Sequence, residues 1–140
     1  MDGEELHECA RERALGLRGT SAGFPFGPAH EVLKVRGKVF LMLTTVPSAS
    51  SGCGVDSAQR GRPVITLKAE PEDGDALRRQ HPTIAPGYHM NKRHWISVAT
   101  GSTIDEALVR ELVTDSYRLV VESLPRRSRP FGWDDPVTLE

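Results

Sequence analysis

The sequence has few of the residues that stabilise secreted, metal-bound or membrane-embedded domains. Its 140 residues include only two cysteines, Cys9 and Cys53, and neither has the paired spacing of a structural zinc site, so no disulfide framework or zinc site is expected. The N-terminus lacks a basic and then apolar leader, and no apolar run approaches the roughly 18 residues that a membrane span requires. These absences predict a cytoplasmic protein that is not exported and does not enter a membrane.

Neither sign of charge is in large excess. There are 18 basic and 19 acidic residues, for a formal net charge of −1, so no whole-molecule field attracts nucleic acid. Hydrophobic residues make up 38% and charged residues 26%, close to the values of ordinary globular domains. The length suits one domain, which we place at residues 1–125, followed by a tail at 126–140 that is rich in proline and charge.

The first segment has the signature of a helix. Asp2 and Glu5 have the spacing of a capping box, and apolar residues then recur at helical intervals, which predicts a helix over residues 3–17. A proline-rich stretch follows, either a short edge strand or a loop, in which Phe24 and Phe26 are expected to anchor the chain to the core.

Strand patterns dominate the next segment. Two β-favouring runs at 31–35 and 38–43 flank Arg36-Gly37, a pair of residues that indicates a hairpin. Residues 44–62 are rich in serine, glycine and threonine and contain little apolar mass, which predicts a long flexible loop. Residues 63–67 predict a third antiparallel strand.

The second half returns to mixed patterns. Residues 72–80 predict a short helix and residues 95–98 the last strand. Thr103 to Glu106 has the appearance of a capping box, and it opens a predicted helix of about 20 residues that ends before Pro125. The apolar stripe expected to face the core consists of Ile104, Leu108, Leu112, Leu119, Val120 and Leu124.

One block is distinctive enough to suggest a family. Residues 86–95 read Pro-Gly-Tyr-His-Met-Asn-Lys-Arg-His-Trp, and they are preceded by Phe-Pro-Phe-Gly-Pro at 24–28 and by Leu-Lys-Val-Arg-Gly-Lys-Val-Phe at 33–40. In residue identity, order and spacing these blocks resemble the MmcQ/YjbR family of small bacterial proteins, over about residues 5–125. The resemblance implies a CyaY-like (frataxin-like) α+β sandwich, an antiparallel sheet with the N- and C-terminal helices packed on one face. The loop at 44–62 is longer than is usual in that family, and the tail is extra.

The same resemblance implies DNA binding, because members of the family are described as DNA-binding on account of hairpin wings and a basic surface. The residues themselves add support: the 29 residues 76–104 contain four lysines and arginines and no acid. We therefore predict weak, largely sequence-nonspecific phosphate contacts. The residues assigned to this surface are Arg78, Arg79, Tyr88, His89, Asn91, Lys92, Arg93 and His94. The pattern is equally consistent with Lys92 and Arg93 as ordinary solvated charges that bind no ligand.

Two other functions stay open at the level of the sequence. His89, Asn91 and His94 could form a small-molecule or catalytic site, since histidine titrates near neutral pH. No hydrolase, nucleotide-binding or metalloprotease motif supports that site, so an enzyme is the less favoured prediction and no cofactor is expected.

A weak metal site is the third possibility. Frataxin-like folds can bind iron through acidic residues near the first helix, and Glu5, Glu8 and Glu12 share one face of the predicted helix. A solvated acidic face that favours the positive end of the helix dipole explains the same pattern.

The tail contains both charge and aromatic residues. Arg126, Arg127 and Arg129 could extend a nucleic-acid surface. Phe131 and Trp133 are expected to dock the tail on the body of the domain or to form an oligomer contact, since a tryptophan is seldom displayed on a free end.

Overall fold

The first helix begins as its capping pattern predicts. The protein is described by a computed structural model that covers residues 1–46, 59–87, 91 and 93–134. Helix α1 spans Gly3–Leu15; the Asp2 carboxylate accepts the Glu5 N–H at 2.8 Å, and the Glu5 carboxylate accepts the Asp2 N–H at 3.0 Å. The capping box is confirmed. The helix ends two residues earlier than predicted, and Gly19, at φ +77°, makes the left-handed turn before β1.

Within the described ranges, six antiparallel strands form one open sheet. They are β1 (Thr20–Gly23), β2 (Glu31–Val35), β3 (Lys38–Thr45), β4 (Pro63–Lys68), β5 (Ile84–Pro86) and β6 (Trp95–Ala99). Their order across the sheet is β1-β2-β3-β4-β6-β5. Strands β1 and β5 are therefore its two edges.

The hairpin between β2 and β3 is confirmed at the predicted residues. Arg36 has φ +52° and Gly37 has φ +82°, the left-handed pair that a two-residue type I′ turn requires. The ladder slips by one residue between Leu33 and Lys34, because Leu33 pairs with Leu41 whereas Lys34 pairs with Val39. This bulge leaves Phe40 as the extra residue of β3.

Two further α-helices lie in the described part of the chain, and the start of the second one corrects the prediction. Helix α2 spans Pro71–Gln80, and α3 spans Glu106–Glu122. The N-cap of α3 is Asp105, whose carboxylate accepts the Leu108 N–H at 2.8 Å, so the capping box predicted at Thr103 is wrong.

The predicted apolar stripe is confirmed at four of its six residues. Ile104, Leu112, Val120 and Leu124 are buried, whereas Leu108 and Leu119 are half-buried at the margin. The buried face of α3 is wider than the stripe, because it also includes Val109, Val113 and Tyr117, which are fully buried.

All three helices cover one face of the sheet. Helices α1 and α3 lie side by side over the central strands, and the Arg13 side chain of α1 donates to the Thr114 hydroxyl of α3 at 2.9 Å. Helix α2 lies against the β6 side, where Gly74 faces the Ile96 side chain. The result is a two-layer α+β sandwich with a single main core between the helices and the sheet.

Two phenylalanines lie outside this core. Phe24 and Phe26 are 55% and 68% exposed, so the prediction that they anchor their loop is wrong. The strand of this region is β1, before the phenylalanines, and its last pair joins Gly23 to Val32. Beyond that pair the loop with its two prolines leaves the ladder at the edge of the sheet, where it has little to pack against.

The described part of the tail docks as predicted at one of its two aromatic residues. Trp133 packs against the core, with the Arg129 guanidinium 5.8 Å from its ring centre. Arg129 also donates to the carbonyls of Leu124 and Glu122 at 3.1 and 2.9 Å and so completes the end of α3. Phe131, in contrast, is 91% exposed, and the prediction that it docks is wrong for the chain by itself.

Some predictions fall outside the described residues. Of the predicted loop 44–62, Thr44 and Thr45 belong to β3, and residues 47–58, with Cys53, are not described. Over the ranges that are described, no helix combines the length and the apolar composition needed to cross a membrane.

A histidine on α1 predicts a pH dependence of stability. The Nε2–H of His7 donates to the Val64 carbonyl at 2.9 Å, and burial lowers the pKa of His7 below its ordinary 6.5. The unfolded chain then binds the proton more readily, so the contribution of neutral His7 is complete above about pH 6.5 and decreases as the pH falls below it. Urea unfolding at several pH values should show a shallower loss of stability towards pH 5.5 in His7→Gln than in the parent; equal slopes would contradict this role.

Candidate nucleic-acid interface

The predicted basic segment, residues 78–95, extends from the end of α2 through β5 to the first residue of β6. The Gly87 N–H donates to the Trp95 carbonyl at 2.8 Å just beyond the last strand pair, Pro86 with Ile96. A Cβ at Gly87 would lie 2.6 Å from the Trp95 Cβ, so only glycine allows the two backbones to meet here. The structure does not describe Tyr88, His89 and Lys92, three of the residues assigned to the surface.

Asn91 organises the return of the chain into β6. Its side-chain oxygen accepts the Arg93 N–H at 2.9 Å, and its carbonyl accepts the N–H groups of His94 and Trp95 at 3.2 and 3.0 Å. The amide oxygen of Asn91 is thus engaged in a local turn. Arg93 and His94 are exposed, whereas Trp95 is half-buried.

The arginines at the end of α2 differ from one another. Arg78 forms an ion pair with Asp75 one turn earlier, so its charge is partly compensated. Arg79 is exposed, and no ion pair joins it to an acid of the described residues. The neighbouring His81 shares a hydrogen bond of 2.8 Å with the Thr103 hydroxyl.

The structure does not bring all these cations together. The carbonyl of His94 accepts the Ala69 N–H at 2.9 Å, which places Arg93 and His94 near the beginning of α2, next to its acidic first turn. Arg78 and Arg79 lie at the other end of this ten-residue helix, about 15 Å away. The acid-free run of the sequence therefore becomes two separate groups of cations in space, and each has acidic neighbours: the first turn of α2 beside Arg93, and Asp75 beside Arg78.

A third group of cations lies at the β2–β3 hairpin. Lys34, Arg36 and Lys38 surround the turn; Arg36 and Lys38 are exposed, and none of the three forms an ion pair with the acids that the structure describes. Arg18 is close to this end, because both Arg18 and Arg36 act electrostatically on the Tyr117 hydroxyl. We call Arg18, Lys34, Arg36 and Lys38 the hairpin cluster.

The sequence did contain a signal for the hairpin cluster. Residues 32–55 include three cations and no acid, a run nearly as long as the one at 76–104. The alternation of charged and apolar residues in this run also fits a half-buried hairpin, so the pattern by itself predicts strands and does not distinguish a binding site.

The acidic face of α1 offers a poor setting for a metal ion. The Glu5 carboxylate caps its own helix, and Glu8 and Glu12 border a shallow groove that also contains Arg110. Cys9 lines the same groove, and burial raises the pKa of its thiol, with Glu106 adding to the rise, which disfavours the thiolate that metals bind. Within the described ranges, no three histidine, cysteine, aspartate or glutamate side chains are grouped to hold a metal.

The architecture defines the class of protein: a small two-layer α+β sandwich of the frataxin-like kind, with an open antiparallel sheet and exposed cations at a hairpin. The chain belongs to the YjbR family, whose family model matches residues 15–119. The family and fold inferred from the sequence are thereby confirmed.

Relatives of known sequence and structure support this family and this fold. The chain is 42% identical over 129 residues to the uncharacterized protein YbdF of Escherichia coli O157:H7, which covers 92% of this chain and 95% of that protein. It is 37% identical over 68 residues to the uncharacterized protein YjbR of Escherichia coli K12, over 49% and 58% of the two chains. The crystal structure of Deinococcus radiodurans DR2400, a protein with a DUF419 domain, matches 91% of this chain and 85% of its own with a TM-score of 0.67 at 29% identity. A Pseudomonas syringae protein matches 85% and 98% with a TM-score of 0.64 at 28% identity.

Proposed function

We propose that this protein binds DNA weakly, through phosphate contacts with little sequence preference. The observation that carries the proposal is the hairpin cluster, in which Arg36 and Lys38 project from a tight turn without an ion pair to any acid of the described residues. A cation with no acid partner can neutralise a phosphate and release its counterion without first breaking an internal bond. Such contacts position a protein on the backbone and do not read bases.

The predicted segment supports the same activity with fewer groups. Arg79 and Arg93 are exposed and form no ion pair in the part of the chain that is described. Arg78 has Asp75 as a partner and would contribute less. Tyr88, His89 and Lys92 remain part of the proposed surface as sequence-based assignments, together with Asn91 and His94.

A few phosphate contacts limit the affinity. Non-specific binding of this kind has dissociation constants of about 10⁻⁴ to 10⁻⁶ M at physiological salt, and it weakens steeply as salt rises. This function would also place the protein in the cytoplasm, where DNA of a bacterium is found.

Fluorescence anisotropy with a labelled duplex should show this binding. We expect Arg36→Asn/Lys38→Gln to weaken the affinity at least about tenfold at low salt and to reduce the slope of log K against log salt by about 2, because two phosphate contacts are lost. Asparagine keeps the left-handed turn at residue 36. Lys92→Ala/Arg93→Ala tests the predicted segment in the same way.

A charge-matched variant distinguishes binding through the hairpin cluster from a general effect of the protein's net charge. Arg11→Gln/Arg110→Gln also removes two positive charges, but from residues that are already paired with Glu31 and Glu106. It should leave the affinity within about twofold of the parent. An equal loss in this control, salt-independent binding, or no binding in about 50 mM salt would contradict the proposal.

A further inference from the structure

One edge of the sheet is open and uncharged. Strand β1 pairs with β2 on one side, and no strand of the described ranges lies on its other side. Its residues Thr20–Gly23 include no charged residue and no proline, and Ser21 and Ala22 are exposed. Edges of this kind accept another strand unless a charge, a bulge or a covering segment protects them.

The exposed large apolar side chains gather at the two ends of this strand. Phe24 and Phe26 follow its C-terminal end directly, at 55% and 68% exposure. At its N-terminal end, Leu15 is 50% and Phe131 91% exposed. Phe131 is placed there by its neighbours in sequence, because Pro130 lies against Gly19 and Gly132 against the Arg18 side chain. Among the described residues, only Met1 is an exposed large hydrophobic residue of another region.

We propose that β1 pairs antiparallel with β1 of a second copy of this chain, about a two-fold axis between Ser21 and Ala22. Antiparallel pairing brings the C-terminal end of each strand beside the N-terminal end of the other. Phe24 and Phe26 of one copy then meet Leu15 and Phe131 of the second copy, twice in the dimer. The interface is isologous and closes at two copies, so it builds one continuous sheet of twelve strands.

Charge and area both favour a second copy as the occupant. With Ser21 opposite Ala22 of the second copy, Arg18 falls opposite Pro25 of that copy, next to its exposed aromatic rings, and the two Arg18 side chains stay at opposite ends of the interface. Each phenylalanine can bury about 150–250 Å². Six of them, already partly covered, and two short strands together approach the roughly 1,000 Å² that a specific interface needs.

Sedimentation equilibrium of the full chain over a range of concentrations tests the pairing. The mass should rise from that of one chain, 15.4 kDa, at about 1 µM to that of two chains at about 100 µM, with no larger species. We expect Phe131→Glu or Phe24→Lys alone to weaken the dimer at least tenfold. The double variant Phe24→Lys/Phe131→Glu should lose clearly less affinity than the product of the two single losses, because antiparallel pairing brings the opposite charges together.

Controls separate this interface from general surface effects and from DNA binding. Ala107→Glu adds the same charge as Phe131→Glu on an exposed residue of α3 and should leave the dimer unchanged. Circular dichroism should show that the variants keep the fold. A monomer at all concentrations, or a double variant whose loss equals the product of the two single losses, would overturn the proposal. If single-stranded DNA binding, and not dimerisation, is lost in Phe131→Glu, the aromatic rings are stacking platforms and the proposal is also wrong. The dimer does not depend on the proposed DNA binding, which the hairpin variants test separately.

Discussion

Replacing Tyr117 with alanine should reduce the free energy of unfolding by about 3–5 kcal/mol, the cost of removing a large aromatic side chain from a well-packed core. Tyr117 is fully buried on α3, and its ring meets the Phe40 ring edge to face, with the ring centres 5.5 Å apart and the planes at 77°. Its hydroxyl donates to the Arg18 carbonyl at 2.5 Å, so the same side chain ties α3 to the turn before β1.

Tyr117→Phe separates the ring from the hydroxyl. It keeps the aromatic contact and removes one hydrogen bond, so we expect a loss of only about 1 kcal/mol. Burial raises the pKa of Tyr117 to about 12 from its ordinary 10, although Arg18 and Arg36 oppose the rise. An acid whose pKa is higher in the folded state stabilises the fold fully below pH 10 and loses that contribution as the pH rises towards 12. The phenylalanine variant should lack this alkaline loss.

Urea unfolding followed by tryptophan fluorescence and by circular dichroism measures both variants. A loss of less than about 1.5 kcal/mol in Tyr117→Ala would show that the core closes over the space, contrary to the packing argument. The same alkaline slope in parent and Tyr117→Phe would show that another group titrates.

Ser116→Ala should also destabilise strongly for so small a change, by about 2–4 kcal/mol. The fully buried Ser116 hydroxyl donates to the Phe40 carbonyl at 2.6 Å and accepts the Lys68 N–H at 2.8 Å. The last pair of the β3–β4 ladder is Leu41 with Leu67, so the hydroxyl stands where the next bond between the strands would form. Alanine would leave a backbone donor and a backbone acceptor without partners in the interior.

A second serine of the same segment provides the control. Ser123 is exposed at the end of α3, and its hydroxyl donates only to the Val120 carbonyl one turn earlier. Ser123→Ala should change stability by less than about 0.5 kcal/mol. If Ser116→Ala is equally mild in urea unfolding, the two strands have closed their ladder directly and the serine is dispensable.

The fold was predictable wherever local chemistry determined it. The capping box at Asp2 and the left-handed pair Arg36-Gly37 need only neighbouring residues, and both were predicted correctly. The strand β1 was not, because Thr20–Gly23 consists of small residues with weak strand preference and owes its structure to pairing with β2. The prediction that Phe24 and Phe26 anchor their loop was wrong, because hydrophobicity alone does not show whether a loop at the edge of a sheet packs on the core or extends into solvent.

The candidate interface shows a different limit. The absence of acids over residues 76–104 is a property of the chain, whereas electrostatic potential depends on spatial neighbours. The bond between Ala69 and His94 carries Arg93 towards the acidic start of α2, and Arg78 forms its pair with Asp75, just outside the run. The cations around Arg36, in contrast, stay close together in the folded chain, because a tight hairpin keeps sequence neighbours together in space.

The side-by-side packing of α1 and α3 has a consequence for how the chain is made. These helices are separated by about ninety residues, and the core between them cannot close until α3 has left the ribosome. Strand pairing within β2–β3 is local and can form early. The apolar face of α1, in contrast, stays exposed to solvent until α3 can pack beside it. The core should therefore close only after α3 has been synthesised and released, and a chain that stops before Glu106 lacks the element that closes the core over the sheet.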